Sequence, residues 1–184
     1  GMQFFSSYLV GLVSMAFPQW LQQYEDLLKT AGLDSSITLP MLLYSVLLAP
    51  VCEELIFRGT TMHLARRALP FWLANTMQAL LFGLFHMNWI QGIYAFALGL
   101  VLGYVCEKGG SIYYSILLHI LFNLWGTVIS TLLPDVGNTV FTILIILIVT
   151  IVSLSLGFYL FRHGTRTKKE RNAAKDALTS SPNR

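Results

Sequence analysis

The chain has 184 residues, of which 55% are hydrophobic and only 11% are charged. Soluble domains carry about 25% charged residues, so this composition excludes an ordinary water-soluble protein. The apolar residues form several long runs, and in lipid such runs become helices because a helix satisfies its own backbone hydrogen bonds. We therefore predict an all-α protein, a polytopic membrane helical bundle.

The apolar runs predict about six membrane spans and one interfacial helix. The first run, residues 4–17, is shorter than the roughly 20 residues that a span needs. Residues 18–36 are amphipathic and predict either a helix that lies on the bilayer surface or a connecting loop. The later runs that we expect to span the membrane are residues 39–57, 71–86, 89–104, 112–133 and 140–161.

A basic segment, residues 162–184, follows the last predicted span. Lysine and arginine concentrate on the cytoplasmic side of membrane proteins, where they meet anionic lipid. We therefore predict a multi-pass cell-membrane protein with both termini in the cytoplasm. Residues 1–161 would form a single transmembrane domain, and the tail would be partly disordered from residue 172. The expected partner is the lipid bilayer and not a nucleic acid, and the residues indicate no particular oligomeric state.

Residues 49–59 place two carboxylates and an arginine at the end of an apolar run. An ionisable group in a span costs about 2.5–3.5 kcal/mol on insertion scales, so it indicates a functional site. On a helix, Glu54 and Arg58 are four residues apart and form an ion pair. Glu53 points about 100° away and has no basic partner in its own helix. It is left to act as a general base or as a structural hydrogen-bond acceptor. Pro50 bends the helix just before this pair.

Two histidines and an asparagine occur in later spans. Taken singly, His86, His119 and Asn123 are explained by hydrogen bonds between helices. Together with Glu53 they are the groups needed to hydrolyse an amide. Glu53 and His86 would hold and deprotonate a water molecule, while His119 and Asn123 would donate hydrogen bonds to the oxyanion. The sequence contains no Gly-x-Ser-x-Gly motif, which disfavours nucleophilic catalysis.

A zinc site is the alternative interpretation of the same residues. Glu53, His86 and His119 are ligands that zinc accepts in catalytic sites with one position open for water. The chain lacks the His-Glu-x-x-His pair of zinc proteases, and every candidate ligand comes from a separate span. We therefore expect no metal and no other cofactor.

With the predicted span boundaries, helix geometry places these groups at different depths in the membrane, too far apart to meet. His86 would lie about 22 Å along a span that begins at residue 71. Glu53, five residues before Arg58, would lie only about 8 Å from the end of its own span. The groups meet only if the third span begins later or is steeply tilted.

Three motifs occur in order along the chain: Glu53-Glu54-x-x-Phe57-Arg58-Gly59, Phe82-x-x-x-His86 and His119-x-x-x-Asn123. Together they resemble the signature motifs of the CAAX-processing and bacteriocin-processing (CPBP) membrane endopeptidases, also called the abortive-infection (ABI) family. The resemblance implies an intramembrane protease in which Glu53 and His86 activate water. It also implies that His119 and Asn123 form the oxyanion hole, supported by Glu54 and Arg58. In its short length the chain is more similar to compact bacterial members than to the eukaryotic CAAX prenyl endopeptidases.

The sequence therefore predicts a glutamic-type intramembrane endopeptidase. Its substrate would be a membrane-associated peptide or protein, with or without a prenyl group. One alternative is a non-catalytic membrane immunity or scaffold protein that binds a bacteriocin or another partner. The other alternative is a zinc-dependent membrane protease.

Overall fold

The computed structural model describes residues 1–30, 38–129 and 140–179. Regular secondary structure within these ranges is entirely helical, which confirms the all-α prediction. The helices are α1 (Met2–Ala16), α2 (Pro18–Thr30), α3 (Leu39–Ala65), α4 (Phe71–Phe85), α5 (Trp89–Gly109), α6 (Ile112–Val128) and α7 (Val140–Thr179). The chain divides into two units, one of residues 2–137 and one of residues 138–184 with Gly1. The predicted boundary at residue 161 stays a prediction.

Three helical segments in the described part of the chain are long and apolar enough to cross a membrane: Leu39–Ala65, Trp89–Gly109 and Leu144–Thr165. Helices α1, α4 and α6 are apolar but shorter. The protein is therefore a helical membrane protein, whereas the number of six spans stays a prediction. The end of the fifth predicted span, residues 130–133, lies outside the described residues.

Helix α2 shows that the amphipathic segment after α1 is helical and is not a loop over residues 18–30. Its Trp20 ring stacks on Trp89, at the start of α5, with 5.4 Å between centroids. The ring of Phe17 also stacks on Trp20, with 4.2 Å between centroids. These aromatic contacts attach α2 to α5. An interfacial position for α2 stays a prediction, and residues 31–36 of the predicted segment are outside the described residues.

Helix α3 continues well beyond the end that we predicted at residue 57. It runs to Ala65, and within it the hydroxyls of Thr60 and Thr61 donate to carbonyls five residues earlier. About 18 Å of helix therefore separates Glu53 from Ala65, close to the roughly 22 Å between Phe71 and His86. The predicted boundary was wrong, and its correction removes the geometric obstacle to convergence.

Two π-helical turns, Tyr44–Leu48 and Leu55–Met62, interrupt the α-helical geometry of α3. In the first turn, the Ala49 N–H donates to the carbonyl of Tyr44, five residues earlier. The next donor in that pattern would be Pro50, which has no N–H. The carbonyl of Ser45 is thereby left without a donor at this position of its own helix. Proline thus frees a backbone acceptor about two helical turns before the acidic pair.

Helices α4 and α5 pack closely because small residues line their contact. A Cβ atom added to Gly83 would lie 2.6 Å from the carbonyl oxygen of Gly92, and one added to Gly99 would lie 3.1 Å from Ala79. The hairpin turn between the helices ends at Asn88, whose side chain caps α5 by accepting from the Gln91 N–H at 3.1 Å. The two backbones therefore approach each other closely, from the turn at Gly83 and Gly92 to Gly99 and Ala79.

Helix α7 is a single helix of 40 residues, Val140–Thr179. Residues 172–179, where we expected disorder, have helical backbone. The tail is rich in arginine, lysine, glutamate and alanine, which are strong helix formers even without an apolar face to bury. Residues 180–184 lie outside the described residues.

Candidate active site

A cavity of about 540 Å³ lies within the 2–137 unit and is bordered by helices α1 to α6. All four residues predicted to be catalytic line it: Glu53, His86, His119 and Asn123. Phe82 also lines the cavity, and its ring meets those of His86 and His119 edge to face, with centroids 5.0 and 5.7 Å away. The three motifs therefore meet around one space, although they come from three helices.

Glu54 forms the predicted ion pair with Arg58, and the structure adds a second partner. Its Oε1 accepts a hydrogen bond from Arg58 Nη1 at 2.8 Å and one from His119 Nδ1 at 2.9 Å. The side chains of Glu54 and Arg58 are 0% exposed. Further hydrogen bonds help to stabilise such a pair away from water, although Glu54 Oε2 and Arg58 Nε have no hydrogen-bond partner among the described residues. Glu54 is therefore held inside the protein and joins α3 to α6.

Arg58 has contacts on two other helices as well. Its Nη2 donates to the carbonyl of Gly99 in α5 at 3.2 Å. Its guanidinium carbon lies 4.5 Å from the ring centroid of Phe82 in α4, a cation–π contact. One arginine thus fixes the relative positions of α3, α4 and α5 next to the cavity.

Glu53 differs from its neighbour in environment. Its side chain is 17% exposed and lines the cavity, whereas Glu54 is fully buried behind it. Glu53 Oε2 lies 3.7 Å from His119 Nε2, which is too long for a hydrogen bond. Groups at such a distance are commonly bridged by water. Glu53 is therefore the carboxylate that a molecule in the cavity can reach.

Hydrogen bonds define the protonation pattern of both histidine rings. His86 Nδ1 lies 2.9 Å from the carbonyl oxygen of Phe82, which only accepts, so Nδ1 carries the proton. His119 Nδ1 likewise donates to Glu54. In each neutral ring, Nε2 is then the nitrogen with a lone pair. Both histidines are thus oriented by a fixed acceptor.

Asn123 is anchored by the acceptor that Pro50 leaves free. Its Nδ2 donates to the carbonyl oxygen of Ser45 at 2.9 Å. One amide proton is used in this bond, and a second remains for another acceptor. The π turn in α3 therefore holds a carboxamide of α6 at the edge of the cavity.

Sequence reasoning missed a pair of buried amides behind Arg58. Gln78 Nε2 donates to Asn75 Oδ1 at 2.7 Å and to the Gly99 carbonyl at 2.9 Å. Asn75 Nδ2 donates to the Leu100 carbonyl at 3.0 Å. A side chain at Gly103 would overlap these amides. Both amides are fully buried, and their spacing of three residues in an apolar run was the available signal.

The polar face of α1 was also missed. Gln3, Ser6 and Ser7 line the cavity, although the first apolar run was considered only as an incomplete span. Their positions are three and four residues apart, which places them on one helix face. The sequence showed this spacing, but it did not show which part of the protein this face of α1 contacts.

The described ranges contain no group of three histidine, cysteine, aspartate or glutamate side chains arranged to hold a metal ion. His86 and His119 each have one ring nitrogen, Nδ1, that already has a hydrogen-bond partner in the protein. In the neutral ring, each Nε2 keeps a lone pair.

Residues 35–125 match the family model described as type II CAAX prenyl endopeptidase Rce1-like. The match covers about half of the chain and includes every predicted site residue. A helical membrane protein with a carboxylate, two imidazoles and a carboxamide around one cavity is thus placed among the CAAX-type membrane proteases. The chain belongs to the CPBP family. No curated protein and no solved structure matches it.

Replacement of Glu54 tests how strongly the structure depends on the buried ion pair. We expect Glu54→Gln to lower the free energy of unfolding by about 3–5 kcal/mol, because Arg58 would be left buried without a countercharge. Unfolding with sodium dodecyl sulfate in mixed micelles measures this change.

Glu107→Gln is the matched control, since it removes the partner of Arg66 in a pair whose side chains are 34% and 30% exposed. We expect that change to cost less than about 1 kcal/mol. Equal losses in the two variants would contradict the special role of the Glu54 pair.

Proposed function

We propose that the protein is an intramembrane endopeptidase that hydrolyses a peptide bond with a water molecule activated by Glu53 and His86. The observation that carries this proposal is the difference in environment between two adjacent carboxylates. Glu54 is bound by Arg58 and His119, whereas Glu53 borders the cavity that His86 also lines. A carboxylate kept free beside an imidazole is what general-base activation of water requires.

The proposed reaction begins with water held between the Glu53 carboxylate and His86 Nε2. Glu53 accepts one proton while the water oxygen bonds to the carbonyl carbon of the substrate. When the tetrahedral intermediate collapses, the C–N bond breaks and the proton passes to the leaving nitrogen. One water molecule is consumed, and Glu53 returns to its ionised form.

His119 and Asn123 are proposed to stabilise the oxyanion. The proton on His119 Nδ1 is used by Glu54, so His119 donates to substrate through Nε2 when its ring is doubly protonated. The free amide proton of Asn123 supplies a second donor. Each oxyanion donor contributes about 100- to 1,000-fold to kcat.

The proposed substrate is a membrane-associated peptide or protein, prenylated or bare. The cavity lies in a unit that contains two helices of spanning length, so a substrate reaches it from the membrane or its surface. Family membership supports a CAAX-type substrate. We further propose a multi-pass protein of the cell membrane with both termini in the cytoplasm, supported by the basic tail.

A cleavage assay tests the proposal directly. Purified protein in detergent is incubated with matched prenylated and bare peptides, and mass spectrometry detects the products. We expect Glu53→Gln and His86→Ala to lower kcat about 100- to 10,000-fold, since the first removes the proton acceptor and the second removes a group that holds the water.

Cys52→Ser is the control for this assay, because Cys52 is an exposed neighbour of Glu53 that does not border the cavity. Its kcat should stay at the wild-type value. Cleavage that persists in Glu53→Gln would refute the mechanism. Tight peptide binding without any cleavage by wild-type protein would favour the binding or immunity function instead.

The proposed mechanism needs no metal. We therefore expect strong chelators to leave cleavage unchanged, and elemental analysis of the active protein to show no stoichiometric zinc. Loss of cleavage on chelation, with recovery on addition of zinc, would establish the zinc-dependent alternative.

Pro50 is expected to act on catalysis through Asn123. Pro50→Ala supplies an N–H that competes for the Ser45 carbonyl, so the Asn123 amide should lose its fixed direction and kcat should fall up to about tenfold with little change in KM. Steady-state kinetics measures both constants.

A double-mutant cycle separates this effect from general damage to α3. In an Asn123→Ala background, Pro50→Ala should have no further effect, because coupled residues are not additive. Pro40→Ala is the control, since a proline in the first turn of α3 replaces an N–H without an intrahelical acceptor. Additive losses in the cycle would show that Pro50 does not act through Asn123.

A further inference from the structure

Helix α1 forms a wall of the active-site cavity and is attached next to Asn123. The ring of Phe4 meets that of Trp125 edge to face, with 5.8 Å between centroids. A Cβ atom added to Gly126 would lie 3.1 Å from Gln3 Nε2, so the Gln3 carboxamide rests against the backbone of α6. Gly126 is three residues beyond Asn123. The polar face of α1 therefore borders the proposed oxyanion site.

Two polar atoms on this face lack partners within the described chain. Ser6 is 3% exposed, and neither its Oγ nor the Oε1 of Gln3 has a hydrogen-bond partner there. Other serines of α1 behave differently, since Ser7 and Ser14 donate to carbonyls four residues earlier, at 3.1 and 2.7 Å. That local bond is the usual way for a helical serine to satisfy its hydroxyl. The two residues that carry these unpaired atoms, Ser6 and Gln3, line the cavity.

We propose that Ser6 and Gln3 form a subsite that binds the main chain of the substrate peptide beside the scissile bond. This proposal rests on the peptidase function proposed above. Gln3 Oε1 only accepts hydrogen bonds, so its partner must be a donor, and a peptide offers an N–H at every residue except proline. The Ser6 hydroxyl accepts from an N–H or donates to a carbonyl.

The same chemistry argues against a lipid chain on this wall. A prenyl or acyl chain has no donor and would leave both atoms buried without partners, which is unfavourable. Apolar side chains border other parts of the cavity, among them Ala95 and Leu98 of α5. The subsite therefore assigns the α1 side of the cavity to the peptide backbone of the substrate.

Binding at α1 would serve catalysis by orientation. The Gln3 carboxamide rests against Gly126, one helical turn beyond Asn123 in α6, so a main chain held by α1 presents its next carbonyl to the proposed oxyanion donors. A fixed orientation of this kind raises the reaction rate because less entropy is lost in aligning the reacting atoms. Glu53 and His86 supply the chemistry, and α1 supplies the alignment.

An amide-to-ester scan of the best-cleaved peptide tests the subsite. Each ester replaces one main-chain N–H by oxygen and so removes one donor. We expect one ester next to the scissile bond to raise KM about 2- to 12-fold with wild-type protein. The variants Ser6→Ala and Gln3→Met should raise KM for the all-amide peptide by a similar factor. In at least one of these two variants, the ester that raised KM with the wild-type protein should not raise KM further.

Ser14→Ala is the matched control, because Ser14 lies on α1, bonds within its own helix and does not border the cavity. It should respond to the esters as the wild type does. An ester effect that persists undiminished in both Ser6→Ala and Gln3→Met would overturn the subsite, as would a scan without any ester effect. If Glu53→Gln is inactive in the same assay, such a result removes the subsite and leaves the peptidase function standing.

Discussion

The structure around the cavity depends on one buried carboxylate oxygen. Glu54 Oε1 accepts from Arg58 within α3 and from His119 across in α6. In a low-dielectric interior such charged hydrogen bonds are strong, and a missing partner is costly. These two bonds position His119 and occupy Arg58. Glu53 is consequently left facing the cavity, and the proposed chemistry follows from that difference.

Backbone acceptors hold much of the remaining site. The carbonyl of Ser45 is free because Pro50 has no N–H, and it binds Asn123. The carbonyl of Gly99 accepts from both Arg58 and Gln78. Close packing of α4 against α5 at small residues gives these side chains access to the backbone. Irregular or glycine-rich helix segments thus become part of the active site, since regular helices offer few spare acceptors in lipid.

The cavity has two chemically different polar walls. One carries Glu53, His86 and His119, which can exchange or hold protons. The other carries Gln3 and Ser6, which are neutral and can only form hydrogen bonds. In the proposed function, a substrate peptide would meet the titratable groups of the first wall and be aligned by the hydrogen bonds of the second. The proposed subsite would thereby give α1 a role in a candidate active site whose motifs all lie later in the chain.

The sequence by itself determined the all-α class, the ion pair of Glu54 with Arg58 and four of the residues that line the cavity: Glu53, His86, His119 and Asn123. These predictions succeeded because helical spacing fixes which side chains share a face, and because the three motifs are short and local. The predicted end of α3 was wrong. The helix continues through the polar stretch after residue 57, where two threonine hydroxyls bond to carbonyls of the same helix.

Only the tertiary structure decided which faces meet. The partner of Asn123 is in α3, and the amides of Asn75 and Gln78 reach carbonyls in α5. Periodicity within one helix contains no information about the direction of its polar face relative to other helices. That direction is set by contacts between residues far apart in the chain, such as Gly83 with Gly92 and Gln3 with Gly126, where the absence of a side chain allows close approach.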